Sequence, residues 1–361
     1  MTGLYVILSI LVLAFLIFFH ELGHFAVGKA LGFRVLGFSI GFGPKLIKFT
    51  KGETEYSLRA IPFGGACMFD GEDESAGDND PRRFNAQPVW KRFLVILAGP
   101  TMNVLLAFLI AFIVMLSSPV PIYETDPATG DHIPYIAEVA KDSAAERAGI
   151  QQNDIVISVD GKSPLNADDG MESTNALVEL IGNANDTITI IVERNGEQKE
   201  LTASGFYNEE LGKNQLGVTI GLVATGEEHL SFGEAFTGAF EYLGQIIKLT
   251  AEGIAGMFKN GIHQGDVSGV VGAVALMSDV ASESLLNLIY ISIVLSLSLG
   301  IFNLIPFPAL DGGRLLFLII EAIIGRPLNR KVESIVNAIG LSLLFGLMII
   351  VTVFDVIGLF S

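Results

Sequence analysis

Cysteine is almost absent: Cys67 is the only one in 361 residues. That excludes an intramolecular disulfide and any all-cysteine metal cluster. Charge is scarce too, at 17% of residues, below the roughly one quarter usual for a soluble domain. Basic residues are scarcest: 22 Lys and Arg stand against 39 Asp and Glu, a formal net charge of -17. This balance excludes a general nucleic-acid binder, which needs basic surface to neutralise phosphates. Apolar residues make up 50% of the chain, and their distribution is uneven.

Four stretches carry no formal charge: residues 1–19, 93–123, 284–310 and 334–354. Crossing a bilayer takes about 20 mainly apolar residues, so each predicts a transmembrane helix. The first lacks the basic start of a signal peptide. It continues into His20-Glu21-Leu22-Gly23-His24 rather than into a small-residue cleavage site, so it is expected to be retained. The fold class expected is therefore a polytopic α-helical membrane protein.

Charge asymmetry orients it. Residues 29–92 hold ten Lys or Arg and residues 311–333 hold four, while the much longer 117–283 holds eight against 26 acidic residues. Basic residues near span ends mark the cytoplasmic side, and Lys91 and Arg92 adjoin the second span. The expectation is cytoplasmic 29–92 and 311–333, with both termini and 117–283 outside.

Between the spans, 1–30 reads as the first helix, broken after its end by Gly32 and Gly37. Residues 35–69 read as glycine-rich apolar hairpins, with a turn at Lys51-Gly52. Residues 70–92 form a cytoplasmic linker. Its acidic run at 70–80 lacks the spacing of a calcium loop and reads as solvated. The second span is 93–118. Residues 130–205 read as a small α/β module, with strands at 133–139, 154–159, 187–193 and 197–202, helices at 144–148 and 174–181, and a hairpin turn at Asn195-Gly196. Residues 228–283 read as interfacial helices, 284–310 as the third span, 311–333 as a loop and 334–357 as the fourth span.

The chemistry is concentrated in the first span. His20 and His24, four apart, share one helix face, and Glu21 is the only charged residue among the first 28. An intramembrane carboxylate is costly and points to function. H-E-x-x-H supplies two zinc ligands and a general base in one helical turn. A catalytic zinc site needs a third protein ligand. Asp311 is the best candidate: it ends the third uncharged run, follows Pro306 and Pro308, precedes Gly312-Gly313, and matches the histidines in expected depth. His132, His229 and His263 fall in the external region. Asn303 is placed to orient substrate or bind an oxyanion.

These motifs resemble those of the bacterial site-2 proteases, membrane-embedded zinc metalloproteases of regulated intramembrane proteolysis. The resemblance rests on H-E-x-G-H at 20–24, Gly99-Pro100-Thr101-Met102-Asn103 in the second span, and N-x-x-P-x-P-x-L-D-G-G at 303–313. It covers nearly the whole chain. It implies Zn2+ bound by His20, His24 and Asp311, water activation by Glu21, and substrate handling by Asn303. It also implies a membrane-reentrant β region at 35–69 and an extracytoplasmic PDZ-type domain at 130–205, with room for only one such module. Residues 266–272 resemble a family segment that precedes the third helix, although Val270 stands where some members have proline.

The implied substrates are single-pass membrane proteins already cut once outside, including anti-sigma factors and signal-peptide remnants. The implied location is the bacterial plasma membrane, with the active site near the cytoplasmic face. A substrate helix must unwind to expose its carbonyls. The hairpins are expected to accept it by strand addition, with Gly41, Gly43, Gly64 and Gly65 allowing close approach and Asn103 as a further positioning residue. Ile133, Tyr135, Ile136 and Val139 are the expected PDZ groove strand, lined by the 144–148 helix. With only Lys141 and Arg147 as anchors, steric exclusion of large ectodomains is favoured over capture. A transporter would need repeats, of which hydropathy shows none. A scaffold with a decayed metal site is disfavoured because every expected ligand is present.

Overall fold

The computed structural model describes residues 3–72, 80–165, 172–184, 186–204, 207–208, 213–261 and 269–358. Most of the 70–80 acidic run, His263, and residues 266–268 of the 266–272 segment lie outside them. The chain forms two compact units, Met1–Leu116 with Phe232–Ser361, and Ser117–Ser231.

The first unit opens with α1 (Gly3–Ala30), an uncharged run up to Glu21. A helix satisfies its own backbone groups, as an apolar solvent demands. Gly32, at φ +83°, ends it, and Lys91 Nζ donates to the Leu31 carbonyl at 3.1 Å. Next come β1 (Val35–Lys51) and β2 (Thr54–Phe69), joined at Gly52. The hairpin folds over itself: residues 37–40 pair with 65–68 and also with 55–58. Residues 37–40 are thus internal, and among the described residues no strand pairs with the far side of 61–69. α2 (Val89–Ser117) follows, carrying Pro100 within it.

The second unit begins with β3 (Val120–Tyr123) and β4 (Pro134–Val139). α3 (Ala144–Ala148) is capped by the Ser143 hydroxyl, which accepts the Glu146 N–H, and is ended by left-handed Gly149. β5 (Ile155–Val159), α4 (Ser173–Gly182), β6 (Thr187–Arg194) and β7 (Glu197–Ser204) follow. Asn195 and Gly196 both have positive φ, at +56° and +79°, as a type I′ turn requires. β8 (Tyr207–Asn208) and β9 (Lys213–Asn214) form a small ladder before β10 (Val218–Leu222) and β11 (Ala224–Glu228). The main sheet has the order β10-β4-β5-β6-β7, and β11 pairs with β3. Its core is built from Ile136, Leu177, Ile188 and Val192. Buried Asp154 holds Arg194 through two bonds of 2.6 and 2.7 Å.

Three expectations are corrected here. The 133–139 strand was expected to offer a free edge, but β10 occupies it, from Val139 opposite Val218 to Pro134 opposite Leu222. Ile136 points into the core, while Tyr135 packs over Gly221. Among the described residues the outer strands of this sheet are β10 and β7, and the sheet runs beyond residue 205 because β10 belongs to it. The helix packed near β10 and β4 is α4, whereas α3 lies against β7.

The first unit resumes with α5 (Phe232–Asn260), whose Phe236 and Phe240 meet Phe108 of α2. α6 (Val270–Glu283) begins where Asp355 accepts the Gly269 and Gly272 amides at 3.0 and 2.9 Å. α7 (Leu285–Leu304) stops before Pro306. The expected loop at 311–333 is instead largely a helix, α8 (Asp311–Ile324). Its Leu315, Leu318 and Glu321 recur every three residues and are buried, which is one helix face. α9 (Arg330–Gly358) ends the chain. Among the described residues, four helices are long and apolar enough to cross a membrane: Gly3–Ala30, Val89–Ser117, Leu285–Leu304 and, within α9, Lys331–Asp355.

Candidate metal centre

α1 places His20 and His24 one turn apart, both buried. Their Nε2 atoms lie 3.3 Å apart. Asp311 reaches them from the first turn of α8: its Oδ2 is 3.1 Å from His20 Nε2 and 3.4 Å from His24 Nε2. That oxygen is buried and makes no hydrogen bond of acceptable angle among the described residues. Three electron-pair donors are thus held face to face. Zinc bonds of 2.0–2.2 Å in a tetrahedral shell require ligand separations of about 3.3–3.5 Å. The spacing and the N, N, O donor set therefore fit Zn2+.

The approach of α8 depends on its glycines. A Cβ on Gly312 would overlap the Leu304 and Ile305 carbonyls, and one on Gly313 would overlap the Phe307 carbonyl. The intervening turn is strained, with Ala309 at φ +75°, where a side chain costs roughly 1–2 kcal/mol. α9 supports that turn. Asn337 Oδ1 accepts the Ala309 N–H at 3.3 Å, and Gly340 packs so closely on Pro308 that a Cβ would overlap it. On the other side of α8, Glu321 forms a buried two-bond pair with Arg92 of α2, at 2.6 and 3.2 Å.

The remaining expected residues are placed variously. Glu21 interacts electrostatically with His20, His24 and Asp311, and the Cys67 N–H faces its carboxylate. Gly65 lies against it, since a Cβ there would meet Glu21 Cγ at 2.6 Å. Asn103 is fully buried beside His20, with Nδ2 at 3.3 Å from His20 Nδ1. Asn303 is not joined to this cluster by any hydrogen bond among the described residues. Its amide donates to Leu299 in its own helix at 2.9 Å. Gly41 packs on the Ile61 and Arg59 carbonyls, Gly43 on the Ile61 side chain, and Gly64 on the Phe42 ring. A Cβ would overlap its neighbours at Gly41 and Gly64 but meet only ordinary contact at Gly43, and all three have positive φ. Ile133, Tyr135, Ile136 and Val139 lie in the second unit, as do His132 and His229.

The parts played by four further residues escaped the sequence. His24 Nδ1 lies 2.8 Å from the Val95 carbonyl, a backbone partner with no side-chain signature. Gly99 leaves room for the His24 ring, which a Cβ would overlap. Arg92 and Glu321 stand 229 positions apart. In the sequence Arg92 serves only as a marker of topology.

Comparison with known proteins gives the family. The model of peptidase family M50 matches residues 8–347. A protein of Agrobacterium fabrum that bears a zinc-metalloprotease name is 33% identical over 383 residues, covering 99% of this chain and 97% of its own. The regulator of sigma-W protease RasP of Bacillus subtilis is 28% identical over 437 residues, covering 98% of this chain and 99% of its own. Among solved structures, the PDZ domain of an SdrC-like protein of Listeria monocytogenes aligns with 25% of this chain and 87% of its own, at 17% identity and a TM-score of 0.20. The chain belongs to peptidase family M50, the site-2 protease family, and is a membrane zinc metalloprotease.

Proposed function

We propose that this enzyme cleaves peptide bonds within the transmembrane segments of membrane proteins. The carrying observation is the donor triangle that Asp311 of α8 completes with His20 and His24, the two histidines standing on a helix long and apolar enough to span a bilayer, with Glu21 beside them. His20, His24 and Asp311 are the proposed zinc ligands. Zinc there supplies a Lewis acid that polarises the scissile carbonyl and acidifies water. Glu21 takes the proton of the attacking water and passes it to the departing amine.

Substrate must reach Glu21 as extended chain, because a helix keeps its carbonyls in internal hydrogen bonds. Residues 61–69 have no strand on their far side among the described residues, and Gly65 brings that segment against Glu21. A substrate added as a further strand there runs past the base. Asn303 is proposed to contact substrate after its amide leaves the Leu299 carbonyl. The distribution of basic residues supports a cytoplasm-facing active site, with both termini and the 117–231 unit outside. Pre-trimmed anti-sigma factors and signal-peptide remnants are the proposed substrates. The sigma-W regulator name of RasP supports the first class.

The test is cleavage of a synthetic transmembrane peptide by the purified chain in detergent. Cleavage that stops with a chelator and returns with zinc is expected. A zinc-loaded enzyme that cuts soluble peptides and leaves transmembrane peptides intact would overturn the proposal.

A further inference from the structure

The two histidines of the metal centre are supported unequally. A histidine that ligates through Nε2 carries its proton on Nδ1, and that N–H needs an acceptor, which fixes the ring and its tautomer. For His24 the acceptor is the Val95 carbonyl, at 2.8 Å. For His20 the facing group is the Asn103 amide, whose Nδ2 stands 3.3 Å from His20 Nδ1. An amide nitrogen is itself a donor, so a ligating His20 would meet donor with donor. At the same time Asn103 Oδ1 is buried and has no hydrogen-bond partner among the described residues. Leaving such an acceptor unpaired costs about 1–3 kcal/mol.

The two ends of an amide have nearly the same shape. Exchanging them places Asn103 Oδ1 on the His20 Nδ1–H and removes both defects at once. The backbone keeps Asn103 where it is needed. Its carbonyl accepts the Ser296 hydroxyl of α7 at 2.8 Å, and Gly300 of α7 lets that helix close over it.

We infer that Asn103 is a positioning residue for the metal centre: its side-chain oxygen accepts the His20 Nδ1–H, fixing the tautomer that presents Nε2 to zinc. This replaces its expected role toward substrate, and it rests on His20 being a ligand. An amide acceptor keeps the ligand set at two neutral imidazoles and one carboxylate. A carboxylate at this position would add a second buried negative charge to the site.

The test is zinc affinity of the purified full chain, measured by chelator competition in detergent, with helix content and gel-filtration behaviour as controls for folding. Asn103→Leu keeps the approximate volume without an acceptor, Asn103→Ala removes the amide, and Asn103→Asp keeps an acceptor. The expectation is that Leu and Ala weaken zinc binding by about 10–100-fold, the range for lost support of a ligand, while Asp stays within a few-fold of the parent chain. His20→Ala, run alongside, must lose zinc; if it does not, the ligand assignment fails and this inference with it. If His20→Ala loses zinc but either folded non-acceptor variant binds it like the parent chain, the ligand assignment stands and the inference is overturned. A fall in Asn103→Asp as large as in Asn103→Ala also overturns it. Should Asn103→Leu not fold, Asn103→Ala decides alone.

Discussion

The His24 imidazole occupies the space in which a side chain on Gly99 would stand: a Cβ at that position would overlap Nε2, Cε1 and Cδ2 of the ring. α2 therefore contributes twice to one histidine, with space at Gly99 and an acceptor at the Val95 carbonyl four residues earlier. Gly99→Ala must push the ring away from the triangle, and the buried surroundings leave little room to yield. Zinc affinity is expected to fall by about tenfold or more, with the helices intact. Chelator competition measures it, and parental affinity in the alanine variant would show that the ring moves freely.

Glu21→Gln keeps size and polarity but removes the proposed base. Peptide cleavage is expected to fall by about 10²–10⁴-fold while zinc content stays at the parental level. Metal analysis of the purified variant next to a cleavage assay separates the two effects. Loss of zinc together with activity would make Glu21 structural.

The Arg92–Glu321 pair is buried at both ends, with 3% and 5% of each residue exposed. Truncating one partner strands the other's charge, at a cost of about 3–5 kcal/mol. Glu321→Ala should therefore unfold at much lower temperature or denaturant than the parent chain, whereas the double change Arg92→Met with Glu321→Leu should recover most of the loss. Equal stability of all three would mean that the pair is solvated.

Asp355 gathers the first amides of α6 from within the last span. Asp355→Asn should weaken this cap modestly and Asp355→Ala by about 1 kcal/mol. Hydrogen exchange at the Gly269 and Gly272 amides reads this directly, and both should exchange faster in the alanine variant. Unchanged exchange would place the protection elsewhere.

Orientation in the membrane is open to direct measurement. After Cys67 is replaced, a cysteine at Arg330 should react only with reagents that reach the cytoplasm, and one at Lys199 only with external reagents. External labelling at position 330 would reverse the topology.

Much of this architecture is legible from local pattern. The uncharged run before Glu21 and the break at Gly32 mark α1, Asn195-Gly196 marks the β6–β7 hairpin, and Pro306 marks the end of α7. Where pattern and structure part, the cause is long range or hidden in backbone. Residues 311–333 are expected as a loop because their charges, Asp311, Arg314 and Glu321 among them, fall between two uncharged runs. Each of these three has a partner or a site role that a charge count cannot see. Val218 pairs with Val139 across nearly the whole domain, and no local alternation says which strand takes an edge. The two histidines and Asp311 were legible as chemistry. Asn103 was visible as a member of the second-span motif, but its place beside His20 depends on how α1 and α2 pack.

The hold of α9 on the turn before Asp311 changes what counts as a complete enzyme. Every recognised motif has been passed by residue 313, and a protein that stopped after α8 would look intact to any motif search. Yet the strained Ala309 turn leans on Asn337, and Pro308 leans on Gly340, both in the helix such a protein would lack. The last span is therefore a buttress to the turn before Asp311 as well as an apolar helix long enough to cross a membrane. Natural or engineered variants shortened at the C-terminus should be judged by whether that buttress remains, not by their motifs.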